Sequence, residues 1–185
     1  MFGLFKARQD KSVARDWHGV IQSAARQPSL YRARLAQDTL EGRFQQVALV
    51  ACLVLRRLRD FGDEGRSLAD AVYREVFSGF DHALREEGVG DASIARKMRG
   101  LGEEFFGLAR AIDAAFNDAN TGKVQEGDLQ KALSEILVRN GIIADARASH
   151  LASHVMDQAA RLAKAEDTLL LKRPSGIDLS VHSPV

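Results

Sequence analysis

Phe80 to Phe106 reads FDHALREEGVGDASIARKMRGLGEEFF. Apolar residues recur at helical spacing up to Leu84, Gly88-Val89-Gly90-Asp91 interrupts them, and the pattern resumes at Ile94. A tight glycine turn between two helical patterns predicts a corner that fixes the angle between two helices. Gly88 suits the left-handed residue that ends a helix, and Asp91 suits the N-cap of the next one. Basic residues and two adjacent aromatics lie on the second helix, with no nucleophile beside a base and no phosphate loop. The stretch therefore reads as a binding surface rather than an active site.

Downstream of the corner the periodicity is the cleanest in the chain. Ile94, Met98, Leu101, Phe105, Leu108, Ile112 and Phe116 fall in an arc about 80° wide on a helix from about Ala92 to Asn117. Arg96, Arg99 and Arg110 lie away from it, Phe106 sits about 120° from Ile94, and Lys97 is expected at the edge of the face these four form. Upstream, Val72, Tyr73, Val76, Phe77, Phe80, Ala83 and Leu84 share an arc of about 140°. Ser67 with Asp70 marks the start of that helix, after a break at Phe61-Gly62-Asp63-Glu64-Gly65.

Further back, Asp38 with Glu41 forms a capping-box pattern ahead of a helix over about 39–60. Between Val47 and Leu55 that segment has no polar face, which places it at the centre of other helices. A first helix over about Ser12 to Arg26 stops at Gln27-Pro28. Two more are expected at Leu129 to Arg139 and Asp145 to Glu166. The expected fold is all-α, a single compact domain of about six helices around the central one, over 12–171. Residues 1–11 and 172–185 read as flexible tails.

Composition narrows the function classes. The chain has 185 residues, 45% of them hydrophobic, 3 prolines and a formal net charge of +1. Nucleic acid is a poor partner for so balanced a charge. The single cysteine, Cys52, lies in an apolar run and excludes an internal disulfide, which fits a reducing compartment. Lys6 and Arg8 come too early for a secretory h-region of about 7–15 residues. The longest uncharged run, Phe44 to Leu55, falls short of the ~20 residues that cross a bilayer. A cytoplasmic protein, at most peripheral on the inner face of the membrane, is expected.

Two constellations invite metal. His150 and His154 stand one helical turn apart with Asp157 beyond, but without a fourth ligand they read as exposed histidines on an amphipathic helix. Asp118 to Val124 resembles the opening of a calcium loop. Counted from Asp118, however, glycine falls at position five and Leu129 at twelve, where such a loop needs six and an acid. An interhelical turn is the better reading, and no metal or other cofactor is expected. Arg56-Arg57-Leu58-Arg59 and Arg96-Lys97-Met98-Arg99 are the two basic clusters. Arginines on helix exteriors are most often solvated.

Leu84-Arg85-Glu86, Gly88-Val89-Gly90-Asp91 and Ile94-Ala95-Arg96-Lys97-Met98 together resemble the signature of the ubiquinol–cytochrome c chaperone family. Glu104-Phe105-Phe106-Gly107 is similar to that family's acidic–aromatic–aromatic–glycine step. Pro28-Ser29-Leu30-Tyr31 and Asp38-Thr39-Leu40-Glu41-Gly42-Arg43-Phe44 match its approach to the central helix. The likeness runs from Arg26 to Asp118 and marks Arg43, Phe44, Gly88, Gly90, Asp91, Phe105 and Gly107 as motif residues. Gln45 and Val50 replace an acid and a histidine of the family pattern, Phe106 a tyrosine and Leu108 a basic residue.

The resemblance implies a non-enzymatic assembly factor for respiratory complex III. Its partner would be newly made cytochrome b or another complex III assembly protein, met at the membrane. A helical adaptor unrelated to respiration is the alternative. Because the family motif overlies the second basic cluster, Arg96, Lys97, Arg99, Phe106 and Arg110 are the expected partner-binding residues.

Overall fold

The computed structural model describes residues 2–123 and 125–180, with side chains from residue 10 onward except residue 126. Six long helices carry the fold: α1 (Phe2–Ala25), α3 (Leu40–Arg59), α4 (Gly62–Glu86), α5 (Asp91–Asn120), α6 (Glu126–Arg139) and α7 (Asp145–Lys164). Two short ones, α2 (Pro28–Arg32) and α8 (Asp167–Lys172), and a 3-10 turn at Pro174–Gly176 complete it. No strand occurs among the described residues.

The absence of a polar face on the central segment has the expected consequence. From Val47 to Leu55 every residue of α3 is buried except Ala48, and α1, α4, α5 and α7 all pack against this helix. The one buried polar side chain on α3, Gln46, donates from Nε2 to the Leu35 carbonyl at 3.4 Å. Cys52 is enclosed in the same core, and burial pushes its thiol far above the ordinary range, so it is an inert packing residue.

The helix starts differ from the sequence reading by small, explicable amounts. Thr39 caps α3, its Oγ1 accepting from Gly42 N at 3.0 Å, while Asp38 next door is drawn to the Arg43 guanidinium at 2.6 Å. Helix α4 begins at Gly62 instead of Ser67, whose hydroxyl donates to Asp10 on α1 at 2.9 Å. Gly65 makes the early start feasible, because a Cβ there would collide with the Leu58 carbonyl at the end of α3.

Both expected tails are corrected over the residues described. Helix α1 runs back to Phe2, so residues 2–11 continue it. At the other end Leu170, Pro174 and Leu179 are buried. Trp17 Nε1 donates to the Leu170 carbonyl at 3.0 Å, and Gln158 Nε2 donates to the Leu179 carbonyl at 2.9 Å. Pro174 and Gly176 break the helical pattern, yet the chain after them is held by contacts supplied from α1 and α7. Residues 181–185 of the expected tail lie outside the described residues.

Candidate partner-binding face

The corner between α4 and α5 forms as its glycines dictate, with one change of role. Gly88 has φ +76°, Gly88 N bonds the Arg85 carbonyl at 3.0 Å and Val89 N the Leu84 carbonyl at 3.1 Å. This is the paired Schellman arrangement that ends a helix at a left-handed residue. Asp91 does not cap α5. Gly90 holds the cap position without a side-chain bond, and Asp91, the first helical residue, binds Arg85 Nη1 at 2.6 Å. Arg85 also grips Asp81 at 2.7 Å, so one guanidinium ties both arms of the corner together.

On α5 the buried stripe is the predicted one, with Ile94, Phe105, Leu108, Ile112 and Phe116 in the core. Phe106, 50% exposed, is the exposed large hydrophobic side chain among the described residues. Its ring stacks on Tyr73 of α4 at 5.4 Å and meets Phe105 edge-on at 5.8 Å. Behind it Tyr73 packs on Phe77, Phe77 on Phe80 and Phe80 on Phe44, at 4.4, 5.3 and 4.9 Å. Phe106 is thus the outer end of an aromatic ladder rooted in the core, held rigidly while half its surface meets water.

The five expected binding residues do not share one face. At 100° per residue Arg99 and Arg110 stand within about 40° of Phe106 and Arg96 about 80° from it, while Lys97 lies about 180° away. Arg96, Arg99, Phe106 and Arg110 therefore line the outer side of α5 toward α4, over a length of about 21 Å. Lys97 falls on the opposite flank, beside Leu101 and Glu104. The cations Arg96, Lys97, Arg99 and Arg110 are exposed, and none has an ion pair or hydrogen bond among the described residues.

The flank that carries Lys97 has a feature that sequence reasoning missed. A dimple of about 50 Å³ lies between α3 and α5, with Phe44, Phe80 and Leu108 as its floor and Gln45 and Glu104 at its rim. Glu104 was visible in the acidic–aromatic–aromatic–glycine step, but nothing local to Gln45 or Leu101 could reveal that α3 and α5 bring them together. Tyr73 was missed for a related reason: it lies within the broad apolar arc of α4, where periodicity does not show which members reach the surface.

The other basic cluster is consumed by the fold. Arg57 Nε donates to the Leu162 carbonyl at 3.2 Å, pairs with Asp60 at 3.2 Å and Asp167 at 3.7 Å, and lies over the Phe61 ring at 4.5 Å. Arg59 pairs with Asp113 at 3.4 Å. Arg56 lies over the Phe116 ring at 4.9 Å, and its buried Nε sits 3.6 Å from Asp113, an ion pair without a hydrogen bond. Burial raises the Asp113 carboxyl more than Arg59 and Arg56 lower it.

Arg56 and Arg57 border a cleft of about 1100 Å³ between the ends of α3 and α5 and helices α6 and α7. Among the described residues no histidine or cysteine lines it, and Ser153 Oγ there accepts from Gln130 Nε2 at 2.7 Å.

Neither metal candidate gathers ligands. Among the described residues no cluster of three His, Cys, Asp or Glu side chains could hold an ion. His154 is buried, contrary to the exposed placement expected of it, because α7 turns that face inward; His150 stays exposed. Burial drives the His154 pKa down to about 4, against a smaller opposing pull from Asp157. Gly122, at φ +71°, simply closes α5, with Lys123 N on the Asp118 carbonyl at 3.0 Å. No helix among the described residues is long and apolar enough to cross a membrane.

Residues 33–175 match the Ubiquinol-cytochrome C chaperone family, a span that covers most of the chain. The chain belongs to that family. It is also similar to the crystal structure of the Cbp3 homolog from Brucella abortus, at 28% sequence identity and a TM-score of 0.75. That match covers 96% of this chain and 94% of the other. A comparison with curated proteins finds no match. The family match spans the corner, the aromatic ladder and both flanks of α5.

Proposed function

We propose that this chaperone-family chain is a non-enzymatic assembly factor for ubiquinol–cytochrome c reductase. It holds newly made cytochrome b, or a second assembly protein, at the inner surface of the cytoplasmic membrane. The outer side of α5 is the docking face, with Phe106 as its anchor and Arg96, Arg99 and Arg110 around it. The observation that carries this reading is the state of Phe106: a large apolar ring kept half in water by a rigid ladder beneath it. Leaving such a ring exposed costs hydrophobic stabilisation that an inward position would recover. Aromatic and arginine side chains are the types that interfaces enrich at their energetic centres. The unpaired arginines make the face cationic without desolvating any charge before the partner arrives.

Complementation of a deletion strain tests the reading. Loss of the gene should deplete assembled complex III, and the wild-type chain should restore it. Phe106→Ala should weaken docking by about 2 kcal/mol, and Arg96→Glu with Arg99→Glu should lower assembly while leaving the fold intact. Full rescue by the folded double variant would move the docking face off the outer side of α5.

A further inference from the structure

We propose that the dimple between α3 and α5 is an anchor pocket for one large apolar side chain of a partner polypeptide, with a basic residue of that partner reaching the Glu104 carboxylate. The inference rests on the assembly-factor reading and adds a second contact to it, on the flank of α5 opposite Phe106. The site is built from two distant parts of the chain. Phe44, Gln45 and Ala48 come from α3, Leu101, Glu104 and Leu108 from α5, and Phe80 of α4 lies beneath them.

Size decides the class of occupant. About 50 Å³ is far below the roughly 300–1,000 Å³ that cofactors and small ligands occupy. It suits a single aliphatic side chain, the unit by which one protein surface anchors on another. The floor is rigid, since the Phe80 ring is wedged between Phe44 at 4.9 Å and Phe77 at 5.3 Å. One end is closed by the turn after α6, where Gly141 at φ +67° lets Ile142 N reach the Leu137 carbonyl at 3.0 Å and sets Asn140 at the rim.

Charge and polarity then favour a polypeptide over a lipid. Gln45 and Glu104 have no hydrogen-bond or ion-pair partner among the described residues, and both stand at the rim. A carboxamide beside an apolar hole can bond a peptide group as the anchor enters. Lys97 lies on the same flank but does not pair with Glu104, so the carboxylate stays open to a basic residue of a partner. The pocket is also short, and its end is stopped by Asn140 and Ile142, so it offers no channel for an acyl chain.

The experiment places p-benzoyl-phenylalanine at Lys97, one turn from Leu101 on the same flank, in the full chain expressed in the deletion strain. Ultraviolet crosslinking should capture a polypeptide of complex III, at a segment with an apolar residue close to a lysine or arginine. Ala48→Phe fills the dimple and should reduce that crosslink about tenfold. Glu104→Lys should reduce it about threefold, the scale of an exposed ion pair.

Capture of lipid or of a second copy alone, or an unchanged yield in a folded Ala48→Phe protein, overturns the proposal. Should Ala48→Phe fail to fold, Gln45→Trp roofs the dimple from its rim, and an unchanged yield there is equally decisive. Complex III that assembles without the gene refutes the underlying reading. Complex III that needs the wild-type chain, yet assembles and crosslinks equally with the filled dimple, refutes the pocket alone.

Discussion

Arg56-Arg57-Leu58-Arg59 and Arg96-Lys97-Met98-Arg99 are nearly the same sequence, four residues with three cations and one apolar position each. Their fates differ completely. The first ends α3, where unpaired carbonyls and the helix dipole already favour cations, and it meets Asp113, Asp167 and the Leu162 carbonyl from three other helices. The second lies in the second and third turns of α5, beyond the reach of the helix dipole, and none of its three has a partner among the described residues. Exposed cations left unpaired contribute little to stability. The comparison separates arginines that hold the molecule together from arginines free to meet another molecule.

The strongest way to break this contrast is to reverse a charge in each cluster. Arg57→Glu would orphan the Leu162 carbonyl, lose the Phe61 contact and set a third acid beside Asp60 and Asp167. A loss of about 2–3 kcal/mol is expected in urea denaturation. A midpoint that does not move would make Arg57 as dispensable as the α5 cations and erase the distinction.

One histidine of α7 sharpens it by the same logic of surroundings. His154 is buried with its pKa depressed to about 4, below the ordinary 6.5 that it regains on unfolding. The unfolded chain therefore takes up the proton first, so stability falls as pH drops from about 6.5 toward 4 and levels off below. At pH 5 the expected loss from this residue is about 2 kcal/mol. Denaturation at pH 7.5 and pH 5 should show a smaller difference for His154→Gln than for the wild type. Equal differences for the two proteins would dismiss the burial argument.

Gly88→Val tests the corner that carries the second cluster. Its backbone at φ +76° costs a β-branched residue about 1–2 kcal/mol. A smaller effect would mean that the corner relaxes, and with it the angle at which α5 presents its cations. The smallest change is expected where function is placed: Arg96→Glu with Arg99→Glu should shift stability by no more than about 0.5 kcal/mol. Thermal melting of this variant beside Arg57→Glu reads the contrast directly, and a comparable drop in both would mean that the α5 arginines have a structural task too.

The helices, and the central place of one of them, were legible because their signals are local. A side chain's direction on a helix repeats every 3.6 residues, so the all-apolar span from Val47 to Leu55 had to be central and the stripe from Ile94 to Phe116 had to face inward. Gly88 had to take the left-handed conformation for equally local reasons. Neighbouring residues of equal aptitude were less certain: Asp38 and Thr39 both suit a cap, and Arg43 decided between them by claiming Asp38. The stretch after α8 carries Pro174 and Gly176, punctuation that reads as a tail until α1 is seen to pack on its 3-10 turn and Gln158 to bind the Leu179 carbonyl.

By itself, then, the sequence determined an all-helical domain, its central helix, the left-handed turn between α4 and α5 and the motifs that belong to the chaperone family. Only the tertiary structure decided which arginines are structural, that Tyr73 of α4 stands beneath Phe106, and that a dimple forms against α3. The physical reason is range. Helical periodicity and turn chemistry act over a few residues, whereas Arg59 finds Asp113 across 54 positions and Arg57 finds Leu162 across 105. No local pattern encodes partners so distant, because they meet only when packing of the apolar faces brings their helices together.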